Sequence, residues 1–304
     1  VVGLIAPGGV LDPSGVERRV KNLESLGFKV RLGKHLLASR GGYAGTAGQR
    51  VGDLHAMFRD REVAALWAAR GGSGASALLP LIDYDLVRAH PKALIGFSDI
   101  TALHLALYRR AGLVSFHGLT AGSSFAPFSV EHLRAVLMEP RAGHVLVDAR
   151  ENLAKATKDP QWIPRTYRGG VAEGRLVGGN LSMLTALVGT PYAAEGRGHL
   201  LFLEDVREAP YRIDRMLTQL DQSGLTKDAA GFVLGVFDKC VPPDDEPSLT
   251  LAETLEDHFG ASTVPAGAGY SFGHIAPQLT LPVGVRARFD ADARTITLLE
   301  SAVT

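Results

Sequence analysis

Serine 98 stands in "LIGFSDITAL" (94–103), where an aliphatic run ends at a glycine and an apolar period of three to four begins. A serine at a strand-to-helix corner has two uses. Its hydroxyl can cap the helix by accepting a free backbone N–H, or it can be a nucleophile exposed on a sharp bend. The second use needs a base to take the hydroxyl proton and a carboxylate to hold that base in one tautomer. Both residue types occur in the second half of the chain. "LLFLEDV" carries an apolar strand into Glu204 and Asp205, and "GAGYSFGHIAPQLTLPVG" places His274 in a loop after Gly273. Each also has a plainer use, Glu204 as a strand-end partner for Arg212 or Arg215 and His274 as an ordinary surface or core histidine.

A second feature is "AARGGSGASALL" (68–79). Gly72 to Ala77 fits the loose dinucleotide pattern G-x-G-x-x-A. It follows a later strand instead of the first, has no acidic ribose partner at the expected distance, and lacks the Lys-Ser/Thr ending of a phosphate loop. Three uses stay open: a tight turn, a ligand loop, or backbone N–H groups that face a developing oxyanion if a nucleophile lies on the adjacent loop.

The elements that must position these residues alternate. "VVGLIAP", "FKVRLG", "VAALWAA" and "KALIGFS" read as strands, with helical periods in "SGVERRVKNLESLG", "AGQRVGDLHAMFRD" and "DITALHLALYRRAG" between or after them. Such a βα series requires a parallel sheet with helices on both faces, and ligands bind at the C-terminal ends of its strands. Residues 140–170 are rich in charge and turn formers, and the second half has shorter strands. The expected architecture is therefore α/β throughout. An N-terminal parallel-sheet domain (1–145) carries Ser98, a linker spans 146–168, and a smaller mixed-sheet domain (169–304) carries Glu204 and His274.

Composition narrows the partners. Lys plus Arg equal Asp plus Glu at 32 each in 304 residues, so no overall field favours nucleic acid or an anionic membrane. No apolar run approaches the length of a membrane span. "VVGLIAPGGVL" is short and breaks at Pro7, reading as a first strand and not as a signal peptide. The single cysteine, Cys240, allows neither an internal disulfide nor a cysteine-rich metal site and fits a reducing cytosol.

Six blocks in order give the chain a family resemblance: "IAPGG", "ARGGSGASALLPLID", "IGFSDITALHLAL", "GGNLSMLTALVGTPY", "LFLEDVREAPYRIDRMLTQL" and "GHIAPQLTLPVG". Together they resemble the LD-carboxypeptidases of serine peptidase family S66, which include murein tetrapeptide carboxypeptidases and microcin C immunity hydrolases. The resemblance implies Ser98 as nucleophile, Glu204 as orienting acid with Glu208 as its competitor, and His274 as general base. It also implies a homodimer, and the chemistry requires no metal or organic cofactor; the elbow itself suggests an oxyanion hole from the N–H of Asp99 and of a glycine in the Arg70 loop, Gly72. The implied activity is cytoplasmic removal of the terminal D-alanine from meso-diaminopimelate of recycled murein tetrapeptides.

A carboxypeptidase needs a cation for the substrate's terminal carboxylate. Arg70 is one candidate, with a structural brace as its other use. Two departures from the family pattern bear on specificity: Ser73 stands where many relatives have tyrosine, and His117-Gly118-Leu119 replaces their usual His-Gly-Pro. The rival readings are a microcin-type amidase acting on a peptidyl-nucleotide, for which "DPQWIPRTYRGG" offers only Trp162 and Tyr167 as aromatics, and a non-catalytic nucleotide-binding protein built on the Gly72 loop.

Overall fold

The computed structural model describes residues 1–244 and 246–303. The first strands and helices are β1 (Val2–Ile5), α1 (Val16–Ser25), β2 (Val30–Leu32), α2 (Ala47–Arg59), β3 (Ala65–Ala68), α3 (Tyr84–Ala89), β4 (Ala93–Gly96), α4 (Thr101–Ala111) and β5 (Ser115–His117). There follow α5 (Pro127–Leu133), β6 (Val145–Leu146), α6 (Arg150–Lys155), β7 (Arg165–Arg168), β8 (Val171–Asn180), α7 (Leu181–Ala186), β9 (His199–Glu204) and α8 (Pro210–Gln222). The last are β10 (Gly231–Leu234), α9 (Leu251–Phe259), β11 (Ala266–Ala268), β12 (Leu281–Val283), β13 (Arg286–Asp290) and β14 (Thr295–Leu298). None of the helices among the described residues is long and apolar enough to cross a membrane.

Two compact units result, one of residues 1–125 with 281–284, the other of 126–280 with 285–304. The first holds a six-stranded sheet in the order β12-β5-β4-β3-β1-β2. β1 to β5 run parallel, as the alternating pattern requires, while β12 pairs antiparallel with β5. Its central strands are apolar on both faces: Leu4, Leu66, Trp67, Leu94 and Ile95 are fully buried, the signature of a sheet covered on both sides. Helix α2 begins on a capping box in which Thr46 and Gln49 satisfy each other's backbone N–H.

The second unit holds an eight-stranded mixed sheet, β6-β14-β13-β8-β9-β10-β11-β7, in which β8 to β11 are parallel and the flanking strands antiparallel. The mixed sheet agrees with the sequence, but the expectation of a smaller C-terminal sheet does not hold, because β6 and β7 from the presumed linker join it. Residues 146–168 are thus integral to the second unit, whose boundary falls at 125/126 and not at 145. Charge-rich composition hid these short strands, whose exposed residues (Arg165, Thr166, Arg168) face away from the core.

Candidate active site

In the first unit, β4 ends at Gly96, and Phe97 leads into a single 3-10 turn, Ser98–Ile100, that opens α4. Ser98 has φ 66°, the left-handed region, which costs a side-chain-bearing residue roughly 1–3 kcal/mol and persists only where surroundings hold it. The residues at the cap positions of the turn and of α4 are Phe97 and Ile100, neither of which makes a side-chain cap. The strand end is fixed from below by buried His104, whose Nε2–H donates to the Gly96 carbonyl and whose Nδ1 accepts from Ser115 Oγ, both at 2.8 Å. Burial pushes the His104 pKa down to about 4, so this imidazole is a neutral brace.

The glycine loop passes directly over the elbow. A Cβ on Gly71 would stand 2.8 Å from Ser98 Cβ and 3.1 Å from its Oγ, a contact only glycine allows. The Gly71 carbonyl accepts from Gly9 N at 2.9 Å, toward β1. Across a planar trans peptide the following N–H, that of Gly72, points the opposite way.

Beyond Gly72 the loop enters a 3-10 stretch, Ala75–Leu81, instead of the α-helix a dinucleotide loop needs. The first N–H of that stretch is already occupied: Asp99 Oδ2 accepts from Ala75 N at 3.0 Å. An internal acid thus fills the place a phosphate would take. Arg70 donates from Nη1 to the Val10 carbonyl at 3.1 Å, and its Nε lies against Gly9. Leu119, in the proline position of relatives, is buried and its carbonyl accepts from Trp67 Nε1. Ser73 is exposed.

In the second unit, β9 drives Glu204 to complete burial at its C-terminal end, where Oε2 lies 2.7 Å from His274 Nδ1. Gly273, at φ 120°, permits this: a Cβ there would lie 2.8 Å from the Val236 carbonyl and 3.2 Å from Glu204 Oε2. Burial works to lower the His274 pKa, but the Glu204 charge and hydrogen bond outweigh it and raise the value above that of an ordinary histidine. With Nδ1–H directed at Glu204, Nε2 of the neutral ring is the basic nitrogen. Glu208 instead lies 3.6 Å from Arg212 in a part-exposed ion pair, so the two carboxylates are distinguished by their partners.

Asp205 is a residue that sequence reasoning left unassigned. Its carboxylate accepts from Asn180 Nδ2, Ser182 N, Ser182 Oγ and Val206 N, tying the end of β9 to the start of α7. Asn in "GGNL" and Asp in "LED" were the available signals. Cys240 is buried and its thiol is pushed up to about 12 by burial, which keeps it protonated and inert as a nucleophile.

Residues 2–118 match the LD-carboxypeptidase N-terminal domain and residues 173–289 the C-terminal domain. A probable murein peptide carboxypeptidase of Bacillus subtilis is 40% identical over 303 residues, covering 100% of this chain and 92% of that protein. The chain belongs to the LD-carboxypeptidase family, peptidase family S66. Its solved neighbours include a muramoyltetrapeptide carboxypeptidase from Oxalobacter formigenes, with TM-score 0.83 and 30% identity over 98% of this chain and 97% of that one. They also include a variant of the microcin C7 self-immunity protein MccF in complex with adenosine monophosphate, with TM-score 0.88 and 25% identity over 100% and 96%. The family is one of peptidases, and both its domains are present here.

Proposed function

We propose that this LD-carboxypeptidase family member is a serine enzyme that removes the terminal D-alanine from murein tetrapeptides in the cytoplasm, during peptidoglycan recycling. The observation that carries the mechanism is the buried Glu204 carboxylate 2.7 Å from His274 Nδ1, an arrangement that makes Nε2 a general base. The substrate class comes from similarity to the murein peptide and muramoyltetrapeptide carboxypeptidases.

In this reading His274 Nε2 takes the Ser98 proton as Oγ attacks the carbonyl between diaminopimelate and D-alanine. The oxyanion is met by the N–H of Asp99 and of Gly72. Collapse expels the D-alanine amine, which receives its proton from the imidazolium and leaves an acyl-Ser98 ester. Water, deprotonated by His274, then attacks the ester and releases the tripeptide. The net change is one peptide bond hydrolysed by one water, with His274 returned to its starting state. The steps route nothing through a metal or organic cofactor, and the enzyme works as a homodimer, which sedimentation at twice the chain mass would support and at one chain mass would refute.

The microcin-type amidase uses the same chemistry on a peptidyl-nucleotide, and the likeness to MccF favours it. Against it, Trp162 is packed with Val236 and Ile275 and covered by Lys155, whose Nζ lies 4.0 Å from the ring centre. Tyr167, too, is mostly buried, its phenol raised to about 12 by desolvation. The Trp162 ring is not presented to stack on a nucleobase, and the Tyr167 ring lies 6.0 Å from that of Phe259. The deciding experiment is mass spectrometry of the purified protein with L-Ala-γ-D-Glu-meso-diaminopimelate-D-Ala, its L-alanine-ended analogue and an aminoacyl sulfamoyl adenosine. Release of D-alanine from the first alone supports the reading. Cleavage of only the nucleotide substrate overturns it.

A further inference from the structure

We infer that the Asp99 carboxylate is a positioning residue for the reaction. It locks the glycine loop, so that one residue serves both halves of the oxyanion hole: its own N–H directly, and the Gly72 N–H through its side chain. The inference rests on the reading of Ser98 as nucleophile.

Two other loops converge on this carboxylate, which is 3% exposed. Oδ2 accepts from Ala75 N at 3.0 Å, and Gly8 packs so closely that a Cβ there would stand 2.7 Å from Oδ2. The loops after β1, β3 and β4 therefore meet on Asp99. Arg50, 5% exposed on α2, supplies the second clamp. Its Nη1 donates to the carbonyls of Pro7 at 2.7 Å and Gly74 at 2.9 Å, joining the same first two loops, and its guanidinium lies 5.4 Å from the Tyr43 ring centre. The Gly74–Ala75 peptide is thus held on both sides, its carbonyl by a cation and its N–H by an anion.

This is more fixation than a surface turn requires. Glycine loops are conformationally permissive, and a donor that must meet charge only as it develops loses its value if it has to reorganise first. Gly71 and Gly72 have no side chains to hold them, and the nearest anchors on the far side of the loop are Gly74 and Ala75. The anchor that grips Ala75 is the neighbour of the nucleophile, so the distance between the two oxyanion donors is set within a span of a few covalent bonds from Ser98.

Removing one oxyanion donor costs about 10²–10³ in kcat in enzymes of this type. Asp99→Ala should accordingly lower kcat about a hundredfold while KM for tetrapeptide stays within threefold. Affinity for a peptidyl boronate, which forms a tetrahedral adduct on the serine, should fall by a similar factor. Tetrapeptide binding should be equal in Ser98→Ala and in Ser98→Ala combined with Asp99→Ala, a readout that loss of fold would move. Asp99→Asn, which keeps the shape and one acceptor oxygen, should recover most of the turnover.

A kcat within threefold of the parent for Asp99→Ala overturns the inference, as does a loss shared equally by kcat, substrate binding and boronate binding. If Asp99→Ala does not fold, Arg50→Lys carries the test: about tenfold lower kcat at constant KM supports the clamp, and unchanged kcat refutes it. Failure of the underlying reading looks different, since Ser98→Ala would then retain turnover whatever happens at residue 99.

Discussion

The two halves of the proposed triad are built by opposite means. Around Ser98 the work is done by backbone: a left-handed φ, a glycine that permits 2.8 Å approach, and loops held by Asp99 and Arg50. Around His274 it is done by charge: a fully buried carboxylate bonded to one ring nitrogen. The first half is therefore sensitive to shape and strain, and the second to pH and to the sign of one group. Substitutions that keep shape but change charge should separate the two.

The largest effect is expected at the nucleophile. Ser98→Ala should lose a thousandfold or more in turnover, and Ser98→Gly should be equally inactive. Glycine, however, accepts the left-handed region without strain, so Ser98→Gly should unfold at higher denaturant, by about 1 kcal/mol. Full activity in Ser98→Ala ends the serine mechanism, and a destabilised Ser98→Gly shows that the elbow is not strained.

Next comes the acid. Glu204→Gln preserves volume but removes the charge facing His274, and turnover should fall by a factor on the order of 10²–10⁴, whereas Glu208→Gln should stay within a few fold. The reverse ranking would transfer the triad acid to the part-exposed carboxylate.

A smaller and more specific effect is the pH profile. The base must be neutral, so kcat/KM should climb with pH to a limb lying above the ordinary histidine value, because Glu204 raises His274. In Glu204→Gln the lowering influence of burial is opposed only by the weaker influence of Asp205 and Asp238, and the limb should shift to lower pH. The linked stability term has the same origin. A raised folded-state pKa means the pair stabilises most below the unfolded histidine value, about 6.5, and that this contribution is lost as pH rises through the folded value. A limb that does not move in Glu204→Gln removes the charge argument.

Much of this contrast could be read from sequence. "ALIGFSD" announces a buried strand and a bend, and "LLFLED" an apolar strand ending in an acid, because local hydrophobic pattern and turn residues act within a few positions. What escaped depends on distance along the chain. Leu281–Val283 return to pair with β5 in the first unit, from a segment whose local pattern fits either sheet. The hydrogen bonds of Asp99 and Asp205 also join loops remote in sequence, and an aspartate after a strand looks the same whether it faces water or a buried N–H. The glycine pressed on Ser98 is Gly71, next to the Gly72 expected to supply an oxyanion N–H, a distinction of one residue that only loop geometry makes.

The smallest expected effect concerns Arg70, where the structure shows bracing of Val10. If Arg70 also receives the substrate carboxylate, Arg70→Lys should weaken cleavage of the tetrapeptide acid more than of its C-terminal amide, since lysine loses the planar two-pronged geometry. Equal losses on acid and amide assign Arg70 to the scaffold alone.

The central claim, a serine nucleophile at the elbow, is tested most directly by covalent trapping. The protein would be treated with a tetrapeptide analogue bearing a phosphonate ester in place of the scissile amide, then digested and mapped by mass spectrometry. One adduct per chain, on Ser98, formed as turnover disappears, is the predicted result. Complete inactivation with the adduct on another residue, or undiminished turnover in protein fully labelled at Ser98, would contradict it.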